Sequence, residues 1–208
     1  MPPIVEKIDL RKQMKPYWQP PVDRFQIVSV PRFNFIKIDG AGDPNSSEAY
    51  LQAVEWLFSL SYALKFRSKG DLAKDYGVAP LEGLWWAEDM EAFTQGDKSN
   101  WLWTAMIMQP DWITEAMFGK AVTATREKLG TPPQSLRFEP FEEGLSVQIM
   151  HIGPYANEAP TIARLHSEFL PANKLVETGH HHEIYIGDPR RSAPGKLKTV
   201  IRQPVRKL

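Results

Sequence analysis

Residues 25–66 read FQIVSVPRFNFIKIDGAGDPNSSEAYLQAVEWLFSLSYALKF, and the change of period inside this stretch sets the fold class. From Phe25 to Ile38 the residues are β-branched or aromatic with partial alternation, which predicts a strand. Asp39-Gly40-Ala41-Gly42-Asp43-Pro44-Asn45 then supplies a run of turn formers. Ser46 or Ser47 can cap a helix, because a hydroxyl there satisfies an orphan backbone N–H, and Glu48 suits the positive end of the helix dipole. Tyr50, Leu51, Val54, Leu57, Phe58, Ser61, Tyr62 and Leu64 recur at steps of three and four, with Trp56, Leu60 and Phe66 widening the apolar face. The spacing predicts a packed helix from Tyr50 to Phe66.

Outward from this stretch the same order returns. Leu81 to Ala87 and Trp101 to Met108 read as strands joined across a polar loop running through Gly96. Asp111 opens a second amphipathic helix, which Gly130 and Pro132-Pro133 end. Leu136 to Phe141 and Leu145 to Ile152 are strand-like, Asn157 to Phe169 is helix-like, and His182 to Gly187 and Leu197 to Gln203 are strand-like again. Ile38 to Gly42 lies over Ile149 to Gly153 at an offset of 111, Leu84-Trp85-Trp86 over Ile184-Tyr185-Ile186 at 100, and Ile107-Met108-Gln109-Pro110 over Ile201-Arg202-Gln203-Pro204 at 94. The expected fold is α+β: two pseudo-twofold-related strand-helix-strand-strand modules with antiparallel sheets. They cover about 25–110 and 134–205, with a connecting helix over about 111–130 and a central ligand cleft.

Composition removes several classes of function. Among 208 residues, 25 Lys plus Arg balance 25 Asp plus Glu, so the chain lacks the basic footprint of a nucleic-acid binder. The absence of cysteine excludes thiolate metal sites, disulfides and cysteine nucleophiles together. No stretch reaches the roughly 18 apolar residues of a membrane span, and Met1 to Val30 lacks the apolar run of a signal peptide. A cytoplasmic location with no membrane partner is expected.

The chemistry concentrates around Glu183, a carboxylate inside the strand-like His182-Glu183-Ile184-Tyr185-Ile186. Alternation puts Glu183 and Tyr185 on one face and the isoleucines on the other; if the isoleucines pack under a helix, the carboxylate faces away from it. Gly83, Trp85 and Ala87 share one side of the matching strand. Burial among rings would raise the pKa of Glu183 unless a cation or donor hydrogen bonds offset it. Trp85, Trp86, Trp101 and Trp103 are candidates for a π-rich wall that holds planar or cationic ligands, although core packing accounts for at least one of them. Tyr62 and Tyr155 add phenols. His180-His181-His182 is discounted as a metal site, because neighbouring side chains on an extended segment point to alternate sides. Neither a metal nor a cofactor is expected.

Four segments, taken in order, carry a resemblance: Ile36 to Asn45; Glu82-Gly83-Leu84-Trp85-Trp86; His151-Ile152-Gly153-Pro154-Tyr155; and Glu183-Ile184-Tyr185 followed by Gly187-Asp188-Pro189. Together they resemble the GyrI-like small-molecule-binding family, whose fold is a duplicated strand-helix-strand-strand. The resemblance implies that Glu183 lies in a cleft among aromatic residues and meets planar aromatic or cationic ligands. Some stand-alone members hydrolyse cyclopropane-bearing DNA-alkylating compounds, which would give Glu183 and Tyr185 catalytic roles and make Trp85, Trp86, Trp101, Trp103, Tyr62 and Tyr155 ligand-binding. Sequestration without chemistry and a gyrase-interacting role are the alternatives. The short, proline-rich segment ahead of the first strand leaves no room for a helix-turn-helix, so a stand-alone protein is expected.

Overall fold

The structure is a computed structural model, and it describes residues 5–87, 100–187 and 192–208. The polar loop expected around Gly96, Asp188-Pro189 of the fourth motif and the first residues of the chain lie outside the described residues. The chain divides into two compact units. Unit one takes the described parts of Met1–Gln13, Phe33–Leu81 and Trp86–Phe141; unit two takes Met14–Arg32, Glu82–Trp85 and Glu142–Leu208.

In unit one, β1 (Glu6–Ile8) precedes α1 (Leu10–Gln13) and pairs in parallel with β3 (Lys74–Tyr76). The strand read from Phe25 forms as β2 (Gln26–Ala41), and its second half pairs antiparallel with β5 (Leu102–Gln109), Ile38 opposite Ala105. Gly40 opposes Trp103, and a Cβ on Gly40 would lie 2.3 Å from the indole, so only glycine lets the ring lie flat across the strand. Helix α3 (Glu48–Leu72) starts at Ser47, whose hydroxyl accepts from the Tyr50 N–H at 3.2 Å. Its inward stripe is Ala53, Trp56, Leu57, Leu60, Ser61, Leu64 and Ser68. Leu51, Tyr62 and Phe66, read as part of that face, are exposed instead. They fall beside the stripe once the 3.6-residue period is followed over the full length of the helix. The helix also runs six residues past Phe66, because Ser68 is held on both sides: it donates to Lys74 O at 2.8 Å and accepts from Trp112 Nε1 at 2.9 Å.

The second helix, α4 (Glu115–Leu129), begins four residues later than Asp111. Thr114 is the residue with a free oxygen at the right place, accepting from Met117 N at 3.3 Å, and Gly130 ends the helix at φ +81°. Phe118, Ala121 and Thr125 face inward, with Phe118 stacked on Phe138 at 5.6 Å.

In unit two, Lys15–Trp18 forms the single turn α2, and Glu82–Trp85 belongs to β4 (Leu81–Trp86). The two strands expected between Leu136 and Ile152 are one, β6 (Arg137–Ile152). Gly144 adopts φ +74° and keeps the strand continuous across a local change of phase. Residues 146–152 of β6 pair antiparallel with β9 (Lys198–Lys207). β9 also pairs with β7 (Leu175–Glu177) and with β8 (His181–Tyr185), and β8 in turn neighbours β4. The helix expected over Asn157 to Phe169 is segmented into a 3₁₀ turn (Tyr155–Asn157), α5 (Ala159–Arg164), a π turn (Leu165–Phe169) and α6 (Leu170–Ala172). Pro171 has no N–H to give the preceding turn, and the Leu170 N–H reaches back to Leu165 O instead. Leu165 and Leu170 pack with Val147, Leu175 and Val205 into the core of this unit.

The fold is thus mixed α+β with antiparallel pairing of the long strands. Each unit pairs the strand before its helical segment with a later strand, as a repeat would. The register differs, however: the sequence offsets place Ile149 opposite Thr199, and the observed partner is Ile201. No described helix is long and apolar enough to cross a membrane.

Candidate functional site

Within unit two, β8 presents different chemistry on its two faces. Glu183 opposes Ile201, which opposes Ile149 on β6. By alternation Val147 and Val205, which pack against Leu165 and Leu170, lie on that same face. Glu183 therefore faces the helical side of the sheet. The conditional expectation had placed it on the other side, because the strand period fixes which residues share a face but not what covers it.

The Glu183 carboxylate is held at both oxygens. Tyr185 donates its hydroxyl proton to Oε2 at 2.8 Å, and His181 Nε2 lies 3.2 Å from Oε1. Trp85 Nε1 donates to the Tyr185 oxygen at 3.1 Å, which forms a chain from indole to phenol to carboxylate. The indole reaches this position by lying back over Gly83, where a Cβ would come within 2.6 Å of Nε1. The Tyr155 ring meets the Tyr185 ring edge-on at 5.5 Å and is itself partly open to solvent. Glu158, buried just ahead of α5, also hydrogen bonds to Glu183. Burial pushes the Glu183 carboxyl upward, but the hydrogen bond and charge of His181 and the bonds from Tyr185 and Glu158 outweigh it and hold it below the usual carboxylate range. The side chain keeps 15% of its surface exposed at the edge of a ring cluster, with both carboxylate oxygens engaged by protein groups.

The structure gathers Glu183, Tyr185, Trp85 and Tyr155 in unit two. The other candidates lie in unit one. Trp103 is core: its side chain is 1% exposed, and its ring packs over Gly40 and edge-on to Tyr50 at 5.0 Å. A ring sealed in this way cannot stack on a ligand. Trp86 and Trp101 are half-buried. Tyr62 is 49% exposed on the outer side of α3, stacked on Phe66, so it is a surface tyrosine and not part of this cluster.

Sequence reasoning missed the opposite face of β8. His182 is sealed between two carboxylates, Glu143 at 2.8 Å from Nδ1 and Glu82 at 3.0 Å from Nε2. Arg202, opposite His182 on β9, bonds Glu143 at 2.8 Å, Gln148 at 2.9 Å and the Tyr17 carbonyl at 2.6 Å. Glu143 and Gln148 are five apart on one strand and should point to opposite faces, yet both meet Arg202. The positive φ at Gly144 supplies the extra half-period. Burial disfavours charge on His182, but Glu143 and Glu82 overcome it and raise the imidazole to about 9. Burial likewise works against ionised Glu143, and His182 and Arg202 still hold it at about 2. The one visible signal was Glu82 at an inward position of an otherwise apolar strand.

The sequence pattern of the GyrI-like small molecule binding domain matches residues 24–206. An uncharacterized conserved protein from Listeria innocua of known crystal structure is 37% identical, with a TM-score of 0.85 over 96% of this chain and 100% of that one. A crystal structure described as a hydrolase from Listeria innocua is 36% identical, with a TM-score of 0.81 over 96% of this chain and 100% of that one. The EcmrR C-terminal domain shares the fold alone, at 12% identity and a TM-score of 0.58 over 89% of this chain and 98% of that one. No protein of curated function matches this chain.

Proposed function

The chain belongs to the GyrI-like small-molecule-binding family, and from that premise we propose that the Glu183 face of unit two binds planar aromatic or cationic compounds and hydrolyses cyclopropane-bearing electrophiles among them. The observation that carries this reading is the hydrogen-bonded chain Trp85 to Tyr185 to Glu183, which ends on a carboxylate held ionised on a side chain that is partly exposed. Tyr155 supplies a partly exposed ring and Glu183 a negative charge beside it, while Trp85, only 3% exposed, backs Tyr185 from inside and does not itself face a ligand. The similarity to a protein described as a hydrolase supports the catalytic half. The internal repeat read from the sequence stays part of this proposal, supported by the like strand order of the two units.

In the reaction, a water proton passes to Glu183 as the water oxygen attacks a cyclopropane carbon. The strained C–C bond breaks, and its electron pair moves to the conjugated carbonyl oxygen of the ligand. At rest, the Tyr185 proton is engaged by Glu183 and is not available to that oxygen. Once Glu183 is protonated, Tyr185 turns its proton to the ligand oxygen and receives the one on Glu183. The product is then a neutral alcohol and phenol, and the ionised carboxylate returns.

Glu183→Gln keeps the shape and removes the base, so turnover of a cyclopropane-bearing alkylator should fall by about 100- to 10,000-fold while neutral ligands still bind. Chromatographic product analysis under single-turnover conditions reads this out. Equal turnover in the variant removes Glu183 from the chemistry. Ligands recovered unchanged from the wild-type protein leave binding alone, a reading favoured by the engagement of both carboxylate oxygens at rest.

A further inference from the structure

We propose that the outer ridge of α3 is a docking surface for a second copy of this chain, with two α3 helices packed antiparallel about a twofold axis at Tyr62. Unit one buries α3 along one stripe, and a helix bounded by solvent on its other side should be polar there. Here it is not. Leu51, Glu55, Phe58, Tyr62, Phe66 and Lys69 follow one line down the helix, on the side away from Trp56, Leu60 and Leu64. Phe66 is 62% exposed and Leu51 65%, Phe58 is half-buried, and Phe66 stacks on Tyr62 with 6.4 Å between centroids. Single exposed apolar residues are ordinary, but rings gathered along one ridge mark an interaction site. The ridge belongs to unit one and shares no residue with the Glu183 face.

The order of residues along the ridge identifies the occupant. From Glu55 the steps to Phe58, Tyr62, Phe66 and Lys69 are three, four, four and three, so the spacing reads the same in both directions about Tyr62. A twofold axis through that tyrosine, perpendicular to the helix, sets Phe58 against Phe66 of the second copy, Tyr62 against Tyr62, and Glu55 against Lys69. Parallel packing would instead set glutamate on glutamate and lysine on lysine. Lys69 is half exposed and meets Asp75 at 3.6 Å, while Lys65 holds the same carboxylate from its other oxygen, so the Lys69 ammonium keeps donors for a further partner. Antiparallel pairing also lays the positive end of each helix dipole beside the negative end of the other. One helix face makes a small interface, so the dimer should dissociate with a constant on the order of 10–100 μM. Below that range the chain is a monomer, and ridge variants leave its folding stability and ligand affinity unmoved.

Sedimentation velocity on the full chain, from about 1 μM to about 1 mM, tests this. The weight-average mass should rise from that of one chain toward that of two and stop there, because a twofold contact closes on itself. Phe66→Glu sets a carboxylate against the facing Phe58 and should stay monomeric to the highest concentration, with circular dichroism unchanged because the side chain is exposed. Glu55→Lys and Lys69→Glu should each weaken self-association on the order of tenfold, since each places like charges at both ends of the seam. An equimolar mixture of these two variants should dimerise at least as well as the wild type, because one chain then carries lysine at both ends of the ridge and the other glutamate. A wild-type chain that is monomeric at about 1 mM, or that assembles beyond two copies, overturns the inference. So does a Phe66→Glu variant that still dimerises, or a mixture that associates no better than either variant alone.

Discussion

Glu183 and His182 are neighbours on β8, yet each serves the molecule differently. On the Glu183 face the carboxylate meets a phenol and an imidazole, an indole backs the phenol, and the side chain remains partly open to water. On the His182 face an imidazole lies between Glu82 and Glu143, with Arg202 closing the cluster, and solvent is shut out. Both faces hold charge inside a sheet, where charge is costly unless paired. The buried cluster balances its charges within itself, two carboxylates against an imidazolium and a guanidinium. On the open face, among the described residues, the basic group beside the carboxylate is a histidine. That difference separates a structural use of ionised groups from the binding use proposed for the open face.

The largest expected effect lies on the sealed face. Glu143→Ala leaves His182 and Arg202 without their shared partner and should cost about 3–5 kcal/mol, measured by urea denaturation, with ethidium affinity of the folded fraction unchanged. A small loss would erase the contrast. Next comes pH. His182 is raised from 6.5 to about 9 on folding, so its contribution is fully present below 6.5 and is lost as pH rises through 9. Glu143 is depressed from 4.5 to about 2, so its contribution is present above 4.5 and is lost as pH falls toward 2. Stability from this cluster should therefore be greatest between those limits, and His182→Gln should flatten the alkaline decline in midpoint denaturant concentration.

Gly83→Ala sharpens the comparison from the open face. The new methyl group displaces the Trp85 indole and with it the bond to Tyr185, for a cost of about 1–3 kcal/mol together with weakened ligand binding in fluorescence titration. If binding survives intact, Trp85 is scaffold and not part of the site. Smallest is Tyr62→Ser on the outer surface of α3, expected to shift stability by no more than about 0.5 kcal/mol and to leave ligand affinity alone. A marked loss of affinity would return Tyr62 to the site.

Much of this was legible in the amino-acid order. The period-two alternation put Glu183 and Tyr185 on one face of their strand, and the serine cap and the glycine stop marked the two long helices. Legibility failed where partners are remote. His182 meets residues 39 and 100 positions away, and no local pattern encodes such a meeting. It failed too at Gly144, where one left-handed residue shifts the phase of everything before it. Trp103 shows the same limit in packing, since its fate depended on a glycine opposite it on another strand.

The sequence by itself determined which residues share a face, because that follows from backbone geometry repeated along a segment. Tertiary structure alone decided what each face meets: that Glu183 lies on the helical side, that His181 holds it, and that His182 is sealed with Glu143, Glu82 and Arg202. Those outcomes depend on contacts across long loops of chain, and their energies arise from burial and charge pairing that exist only once the strands are side by side.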